Sequence, residues 1–335
     1  MFKLFNYCKL YKNYRIPWIP LRSSSMNYNT QTLRRIANIC NKKPLKAVIA
    51  LNVLTWLGFV DTDKDEESEL IMTIKRAILA TQREQYDIAE QLLHVALRLA
   101  QQQQNENGIT YCYDLMANLA FDQYDLSKAE KLFISVLQRL LSTGMEQNDL
   151  KVIHISLKLA RICHLKAENE KADIGYNWCL EKIVEKQNGG ADAQMLHGVI
   201  HDWYAQFLMD TGDMPNSIKH LKEAYRICVQ ETGHENEQSM LLLNDIGISN
   251  WRTDNLADAE ECLSKAASIG NNLGDKSHVG VINANLGLVY LQRGLVEQAA
   301  KYCNIGLELG NRHENAESIS QANYCLEQIK LNIGK

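Results

Sequence analysis

One packing signature recurs six times along this chain, at intervals of 40 to 45 residues. Each copy has a small residue, in most copies a bulky apolar or aromatic residue four positions later, and a compact residue three positions further on. The copies begin at Ala89, Ala129, Ala172, Ser217, Ala259 and Ala299. Another small residue lies twelve positions before each start, at Ala77, Ala117, Ala160, Ala205, Gly247 and Gly287. Because positions i, i+4 and i+7 share one helix face, each copy predicts two closely packed helices.

Repeated helix pairs of this kind are typical of the tetratricopeptide repeat, whose units stack into a solenoid. We therefore predict an all-α fold, a right-handed α-solenoid of about six tetratricopeptide-like helix pairs with a C-terminal capping helix. The pairs are expected at residues 70–103, 110–143, 153–186, 198–231, 240–273 and 280–313, and the capping helix at 314–335. In such a fold, a binding surface is the default expectation and an active site is the exception.

The composition agrees with a helical body. Only four prolines occur, and all but Pro215 lie within the first 44 residues. The remainder is rich in Leu, Ala, Gln, Glu and Lys, which favour helices. No run of alternating β-branched residues predicts a strand.

Charge changes sharply near residue 60. Residues 1–60 carry ten Lys or Arg and no Asp or Glu, whereas the whole chain has a net charge of −4, so residues 61–335 sum to −14. A basic, acid-free N-terminus containing serine and aromatic residues is the composition of a mitochondrial transit peptide, expected at residues 1–43. The alternative is a disordered basic tail that binds nucleic acid or anionic lipid. The acidic body argues against nucleic-acid binding, because it repels phosphate.

An apolar segment at residues 44–60 follows the basic region. It has basic residues at one end, Trp56 near the other, and an acidic linker at 61–69 beyond it. This order resembles a short anchor in the inner mitochondrial membrane, although the segment is shorter than the roughly 20 residues that a spanning helix prefers. A buried N-terminal capping helix is the alternative. The sequence leaves open whether the segment spans the membrane and on which side the repeats lie.

The sequence contains no motif that predicts catalysis, a cofactor or a small-molecule substrate. The nine cysteines form no Cys-x-x-Cys pair, and several occupy packing positions, so we expect free cysteines rather than a disulfide framework or a zinc site. His197 and His201 have the spacing of two metal ligands on a helix, but no glutamate directly follows His197. We therefore expect no metal and predict that the chain is not an enzyme.

The more informative candidates lie on the first helix of each pair, which in tetratricopeptide repeats lines the binding groove. The predicted groove residues are Tyr111, Asp114, Asn118, Phe121, His154, Arg161, His164, Asp202 and Gln206. Such a mixed polar and apolar groove suits an extended peptide or a partner helix. The alternative is that these side chains only make contacts between repeats. A basic clamp for a chaperone's C-terminal carboxylate is disfavoured, because Asp114 stands where that clamp needs lysine.

Several stretches resemble one family closely. They are Tyr86–Ala100, Ile109–Ala120, Lys128–Phe133 and Ile155–Ala160, of which Tyr113–Ala120 is the most distinctive. On these residues the chain resembles the mitochondrial tetratricopeptide repeat protein 19 family, and the repeat order agrees to about residue 330. The resemblance implies a non-enzymatic factor of the inner mitochondrial membrane that supports assembly and maintenance of respiratory complex III. It implies binding to that complex and a role in insertion of its Rieske iron–sulfur subunit or in clearance of Rieske fragments.

Two other hypotheses stay open at this point. One is a general mitochondrial adaptor or co-chaperone that binds peptide segments of client proteins. The other is a metal-dependent hydrolase that uses His197 and His201, which metal analysis of the purified protein would test.

Overall fold

The computed structural model describes residues 68–186 and 190–333, and this part of the chain forms thirteen α-helices. They are α1 Glu69–Gln82, α2 Tyr86–Gln102, α3 Glu106–Asp122, α4 Leu126–Ser142, α5 Leu150–Leu165, α6 Asn169–Val184, α7 Gly190–Thr211, α8 Met214–Thr232, α9 Glu237–Arg252, α10 Leu256–Asn272, α11 Val279–Gln292, α12 Val296–Arg312 and α13 Ala316–Ile333. No residue of the two described ranges is in a strand, and the predicted all-α fold is confirmed. The expected transit peptide and apolar segment lie outside the described residues.

The described helices belong to two compact units, divided within α7 between Ile200 and His201. In the first unit, each of the helices α1 to α5 packs against the next helix in the chain. In the second unit, each of the helices α8 to α12 does the same, and α13 also packs against α11. In helical repeat proteins, helices joined by short connections pack one after another along the chain, as they do here.

The small residues of the repeated signature are buried where the two helices of each pair meet. The Ser217 hydroxyl donates a hydrogen bond to the Ala205 carbonyl oxygen at 2.9 Å. A methyl group at Gly247 would lie 2.6 Å from Leu263 Cγ and 3.3 Å from the Ala259 carbonyl oxygen. Close approach of the helices therefore excludes larger side chains, which is the packing that the signature predicts.

Bulky residues of the signature form the core on the second helix of each pair. Leu93, Phe133, Tyr176, Leu221 and Leu263 are each no more than 1% exposed. Burial of one such side chain contributes about 1.5–3 kcal/mol to the free energy of folding. The same positions thus hold every pair together, although the residues differ.

The two helices of each pair are joined by a short turn in which one residue has a left-handed backbone. These residues are Glu84, Tyr124, Ala167, Gly212, Asp254 and Gly294, with φ from 58° to 91°. The next residue donates its N–H to a carbonyl five positions earlier, as Asp125 does to Ala120 at 2.9 Å. This bond satisfies a carbonyl that the helix end would otherwise leave unpaired. The turn therefore recurs with the repeat interval.

Candidate partner-binding surface

The predicted groove residues lie on the first helices of three pairs, and they are divided between the two units. Those on α3 are Tyr111, Asp114, Asn118 and Phe121, and those on α5 are His154, Arg161 and His164. All seven belong to the first unit, whereas Asp202 and Gln206 of α7 belong to the second. The two groups are accordingly described separately.

Burial separates the nine residues into two classes. Tyr111, Phe121, Arg161, His164 and Asp202 are at most 7% exposed. The other four are half-buried: Asp114, Asn118, His154 and Gln206. Partner binding stays a prediction for all nine, and the half-buried side chains offer the more accessible surface.

The aromatic members on α3 pack within the first unit. Tyr111 lies in a core cluster with Leu70, Ile74 and Cys112. Burial, with a smaller contribution from the Asp114 carboxylate, raises the pKa of the Tyr111 hydroxyl well above its usual range. Phe121 presents its ring edge to Phe133, with the centroids 6.2 Å apart. The contact between the Phe121 and Phe133 rings therefore stabilises the pair formed by α3 and α4.

A buried polar network joins α5 to α6. The Arg161 guanidinium is fully buried, and its Nη1 lies 3.0 Å from His164 Nδ1. The Tyr176 hydroxyl lies 3.4 Å from the same nitrogen, and the two rings are arranged edge to face. Because Arg161 is a donor only, His164 Nδ1 accepts from it, which places any ring proton of the neutral imidazole on Nε2.

A second polar group connects α3 and α5, and we call its residues Asp114, Asn118 and Lys158 the α3–α5 polar site. Lys158 is 3% exposed, and its Nζ donates to Asn118 Oδ1 at 2.6 Å. The Asn118 Nδ2 donates to the Asp114 backbone carbonyl at 2.6 Å. The Lys158 ammonium also lies 5.1 Å from the centre of the Phe133 ring, within cation–π range.

Burial dominates the electrostatics of the α3–α5 polar site. It lowers the pKa of Lys158, and the carboxylates of Asp114 and Asp122 act in the opposite direction. Burial, followed by the nearby Lys158 ammonium, lowers the pKa of His154 well below its usual range. The Lys158 ammonium is therefore poorly solvated, and it lies near the His154 imidazole, whose lowered pKa favours the neutral form.

Lys158 was not among the residues predicted from the sequence. Its position nevertheless carries two signals, because it follows Asn118 by 40 residues, which is one repeat interval, and His154 by four. Leu157, the residue directly before it, is fully buried. Asn118 and Lys158 are brought together only by the stacking of one pair on the next.

The two predicted residues of α7 are neighbours in the second unit. Gln206 Nε2 donates to Asp202 Oδ1 at 3.3 Å, and Asp202 is fully buried. His201, one of the two residues considered for a metal site, has its Nδ1 2.7 Å from His220 Nδ1 on α8. Burial lowers the pKa of His220, and no group of three or more potential metal ligands occurs among the described residues.

The expectation of free cysteines needs one correction. Cys303 of α12 and Cys325 of α13 form a disulfide, and both are fully buried. The sequence separation of 22 residues does not reveal this pair, because only the packing of α13 on α12 brings the two side chains together. Cys112 and Cys179 are free and buried as expected, and burial raises the pKa of the Cys112 thiol to about 12.

The second unit contains a row of side-chain amides that runs across the first helices α9 and α11 and the last described helix, α13. Gln321 of α13 donates to Asn285 of α11 at 2.8 Å, and Asn285 donates to Asn244 of α9 at 2.9 Å. Asn244 in turn donates to Asp245 at 3.2 Å. All donors point toward one carboxylate, so the row polarises in one direction and stabilises the stacking of these helices.

Comparison with known proteins identifies the family of this chain. A sequence profile for the tetratricopeptide repeat matches residues 196–272. The tetratricopeptide repeat protein 19 homolog, mitochondrial, of Drosophila melanogaster is 38% identical over 94% of this chain and 86% of its own length. The chain belongs to the tetratricopeptide repeat protein 19 family. The Rattus norvegicus member is 31% identical over 71% of this chain and 68% of its own, and the resemblance found in the sequence is confirmed.

Solved structures agree with the fold of this family member. The apo crystal structure of RapI superposes with a TM-score of 0.62 at 12% identity, covering 87% of this chain and 76% of RapI. That similarity supports the α-solenoid class alone. Among the described helices, none combines the length and the apolar character needed to cross a bilayer.

Proposed function

We propose that this protein is a non-enzymatic factor of the inner mitochondrial membrane that supports assembly and maintenance of respiratory complex III. It binds the complex and assists insertion of the Rieske iron–sulfur subunit or clearance of its fragments. The observation that carries the proposal is membership in the tetratricopeptide repeat protein 19 family, with 38% identity across 94% of the chain. Family membership places the protein among repeat proteins, which act by binding other proteins.

Two features support a mitochondrial location. The curated relatives from fly and rat carry the word mitochondrial in their names. The first 60 residues of this chain are basic and contain no acid, as in transit peptides. The attachment to the inner membrane rests on residues 44–60 and belongs to the proposal.

The described surface suits a polypeptide partner. Within the first unit, the first helices α3 and α5 carry acids, amides, histidines and cations beside buried aromatic rings. Such a mixture offers hydrogen bonds to a peptide main chain and apolar contacts to its side chains. A solenoid surface of this kind binds by contact area and needs no reacting group.

Native electrophoresis of detergent-solubilised mitochondria tests the proposal. We expect the protein to co-migrate with complex III, and we expect its depletion to lower complex III activity and to increase Rieske fragments. Re-expression of the full chain should restore both, whereas residues 61–335 behind an unrelated transit peptide test the need for the apolar segment. Migration elsewhere, with complex III unaffected by depletion, would refute the proposal.

The alternative is a general mitochondrial adaptor or co-chaperone for client peptides. It predicts association with many unrelated proteins and no selective loss of complex III on depletion. Mass spectrometry of cross-linked partners in the same mitochondria separates the two functions. A stoichiometric transition metal in the purified protein would instead support the hydrolase hypothesis.

A further inference from the structure

Four large apolar side chains are exposed on the first two helices of the first unit. They are Met72 and Leu79 on α1 and Ile88 and Val95 on α2, with exposed fractions from 36% to 49%. The two members of each pair are seven residues apart, so they lie two turns apart on one face of their helix. Single exposed apolar residues are ordinary, whereas four of them on two helices that pack together form a patch.

This patch lies on the side of α1 and α2 that faces away from the next helix pair. On α1, Ile74 belongs to a core cluster with Tyr111 of α3, and the two exposed residues lie two positions before and five positions after Ile74. On α2, Glu90 forms an ion pair with Lys128 of α4, and the two exposed residues have the same offsets from Glu90. These offsets correspond to rotations of roughly 140–160° around a helix. The patch is therefore at the outer edge of the first described pair.

Two arginines accompany the apolar patch. Arg76 follows Met72 by four residues, and Arg83 follows Leu79 by four, so both share the exposed face of α1. Both are exposed, and neither side chain forms an ion pair with a residue of the described ranges. We call the two arginines and the four apolar residues together the N-terminal edge.

The charge of this edge contrasts with that of the body. Residues 61–335 sum to −14. Near the edge, the acids Glu84 and Asp87 lie at the turn between α1 and α2, which is one end of the patch. An anionic surface attracts exposed arginines and repels an acidic body, so it favours contact through the N-terminal edge.

The chain brings this edge close to a membrane if residues 44–60 are anchored there, as in the proposed function. Eight residues separate Val60 from Glu69, the first residue of α1. An extended chain spans at most about 3.3–3.6 Å per residue, so α1 begins within about 30 Å of the anchor. The N-terminal edge is thus within reach of the bilayer surface.

We propose that the N-terminal edge docks on the surface of an anionic phospholipid bilayer. Its four apolar side chains enter the interfacial region, and Arg76 and Arg83 contact lipid phosphates. Arginine suits this place, because its apolar stem lies along apolar groups while its guanidinium donates charge-assisted hydrogen bonds to phosphate. The inference rests on the proposed function in so far as the inner mitochondrial membrane supplies the bilayer.

Other occupants of the edge match only part of it. A second copy of the same edge would place arginines against arginines, because a two-fold contact repeats one surface on both sides. Residues 44–60 are apolar but contain no acid, and residues 61–67 contain acids but no large apolar side chain. An anionic bilayer supplies both an apolar region and negative charge.

Photo-cross-linking of the full chain in vesicles tests the docking. A diazirine amino acid replaces Leu79 in one sample and Ile174 in another, and each protein is reconstituted into vesicles of phosphatidylcholine with cardiolipin or of phosphatidylcholine alone. Ile174 of α6 is the matched control, because it belongs to the same unit and is 69% exposed. After illumination, mass spectrometry identifies what is attached to each position. We expect lipid adducts at position 79 and not at position 174, with a higher yield in the vesicles that contain cardiolipin.

Charge variants provide a second readout at position 79. We expect Arg76→Gln combined with Arg83→Gln to lower the yield of lipid adducts about fivefold or more, since one cation near an anionic surface changes such an equilibrium about fivefold. Lys131→Gln combined with Lys171→Gln removes two exposed lysines of α4 and α6 and should leave the yield unchanged. Thermal unfolding checks that both variants fold. Added salt should lower the yield with the original arginines, which needs no charge variant.

Several results would overturn the docking. They are equal lipid adducts at positions 79 and 174, equal adducts in neutral and anionic vesicles, or attachment of position 79 to residues 44–67 or to a second copy in place of lipid. The native gel reports the proposed function separately. Lipid adducts at position 79 without co-migration with complex III would support docking and refute that function, and co-migration without lipid adducts would do the reverse.

Discussion

Cys303 and Cys325 are joined by a disulfide that fastens α13 to α12, with their Cα atoms 5.9 Å apart. Both residues are fully buried, so the bond lies within the helix interface rather than on the surface. It closes a loop with a sequence separation of 22 residues. The terminal helix of the second unit is therefore attached covalently as well as by packing.

Removal of this disulfide should destabilise the protein. Closure of a loop of this length stabilises a fold by about 3 kcal/mol in the chain-entropy description. We expect Cys325→Ser, or reduction of the wild type, to lower the free energy of urea unfolding by about that amount. Cys262→Ser removes a free, partly exposed cysteine and serves as the control.

Thiol counting checks the same bond independently. In urea, two more cysteines should react with maleimide after reduction than before it. Equal labelling with and without reductant would show that the two sulfurs are not bonded in the purified protein.

Gly287 of α11 should not tolerate a side chain. A methyl group there would lie 2.5 Å from Cys303 Sγ and 2.8 Å from Cys325 Sγ. We expect Gly287→Ala to cost about 1–3 kcal/mol of stability, the usual range for overpacking a core. Gly274→Ala is the matched control because no atom lies within 4 Å of its added methyl group, and comparable unfolding midpoints for the two variants would contradict this packing.

Substitutions at the left-handed turn residues should have opposite signs. Gly294 has φ of 76°, so Gly294→Ala is expected to destabilise by about 1 kcal/mol. Ala167 occupies the same turn position with φ of 58° and is exposed, so Ala167→Gly should stabilise by about 0.5–1 kcal/mol. Chemical unfolding measures both, and a loss of stability in Ala167→Gly would refute the strain argument.

His154 should make stability depend on pH. Its pKa in the folded protein is well below the usual value of 6.5, so the unfolded chain binds the proton more tightly. The contribution of His154 to the free energy of unfolding is complete above pH 6.5. It is lost as the pH falls from there toward the pKa of His154 in the folded protein. We expect His154→Gln to flatten the decline in unfolding free energy below pH 6.5. An unchanged profile in His154→Gln would mean that another group dominates acid destabilisation.

Much of the fold could be predicted from residue spacing. Ala89 and its equivalents recur at a fixed helical offset from Ala77 and its equivalents, and small residues at facing positions predict helix pairs whatever lies around them. Gly212 and Gly294 have a left-handed backbone, which glycine adopts readily, so a glycine at this position is a turn signal in the sequence. Three other turns carry no such signal, because Glu84, Tyr124 and Ala167 are not residues that favour turns, and the hydrogen bond that ends the helix imposes the conformation on them.

The candidate surface was harder to predict. A repeat register identifies first helices, but it cannot distinguish a side chain that lines the surface from one that packs between neighbours. Arg161 and Asp202 are polar by sequence and fully buried in the structure. Lys158 was assigned to no site, although it is the cation that contacts Asn118.

The amino-acid sequence by itself determined the helical repeat, the basic character of the first 60 residues and the family, because each depends on residue type at a regular interval. Tertiary structure alone decided that Asn118 and Lys158 form one site and that Cys303 and Cys325 are bonded. Residues so far apart in the chain meet only when one helix pair stacks on the next. The physical reason is that spacing records the contacts within a pair, which recur in every repeat, whereas contacts between particular polar or sulfur atoms occur once and depend on the packed geometry.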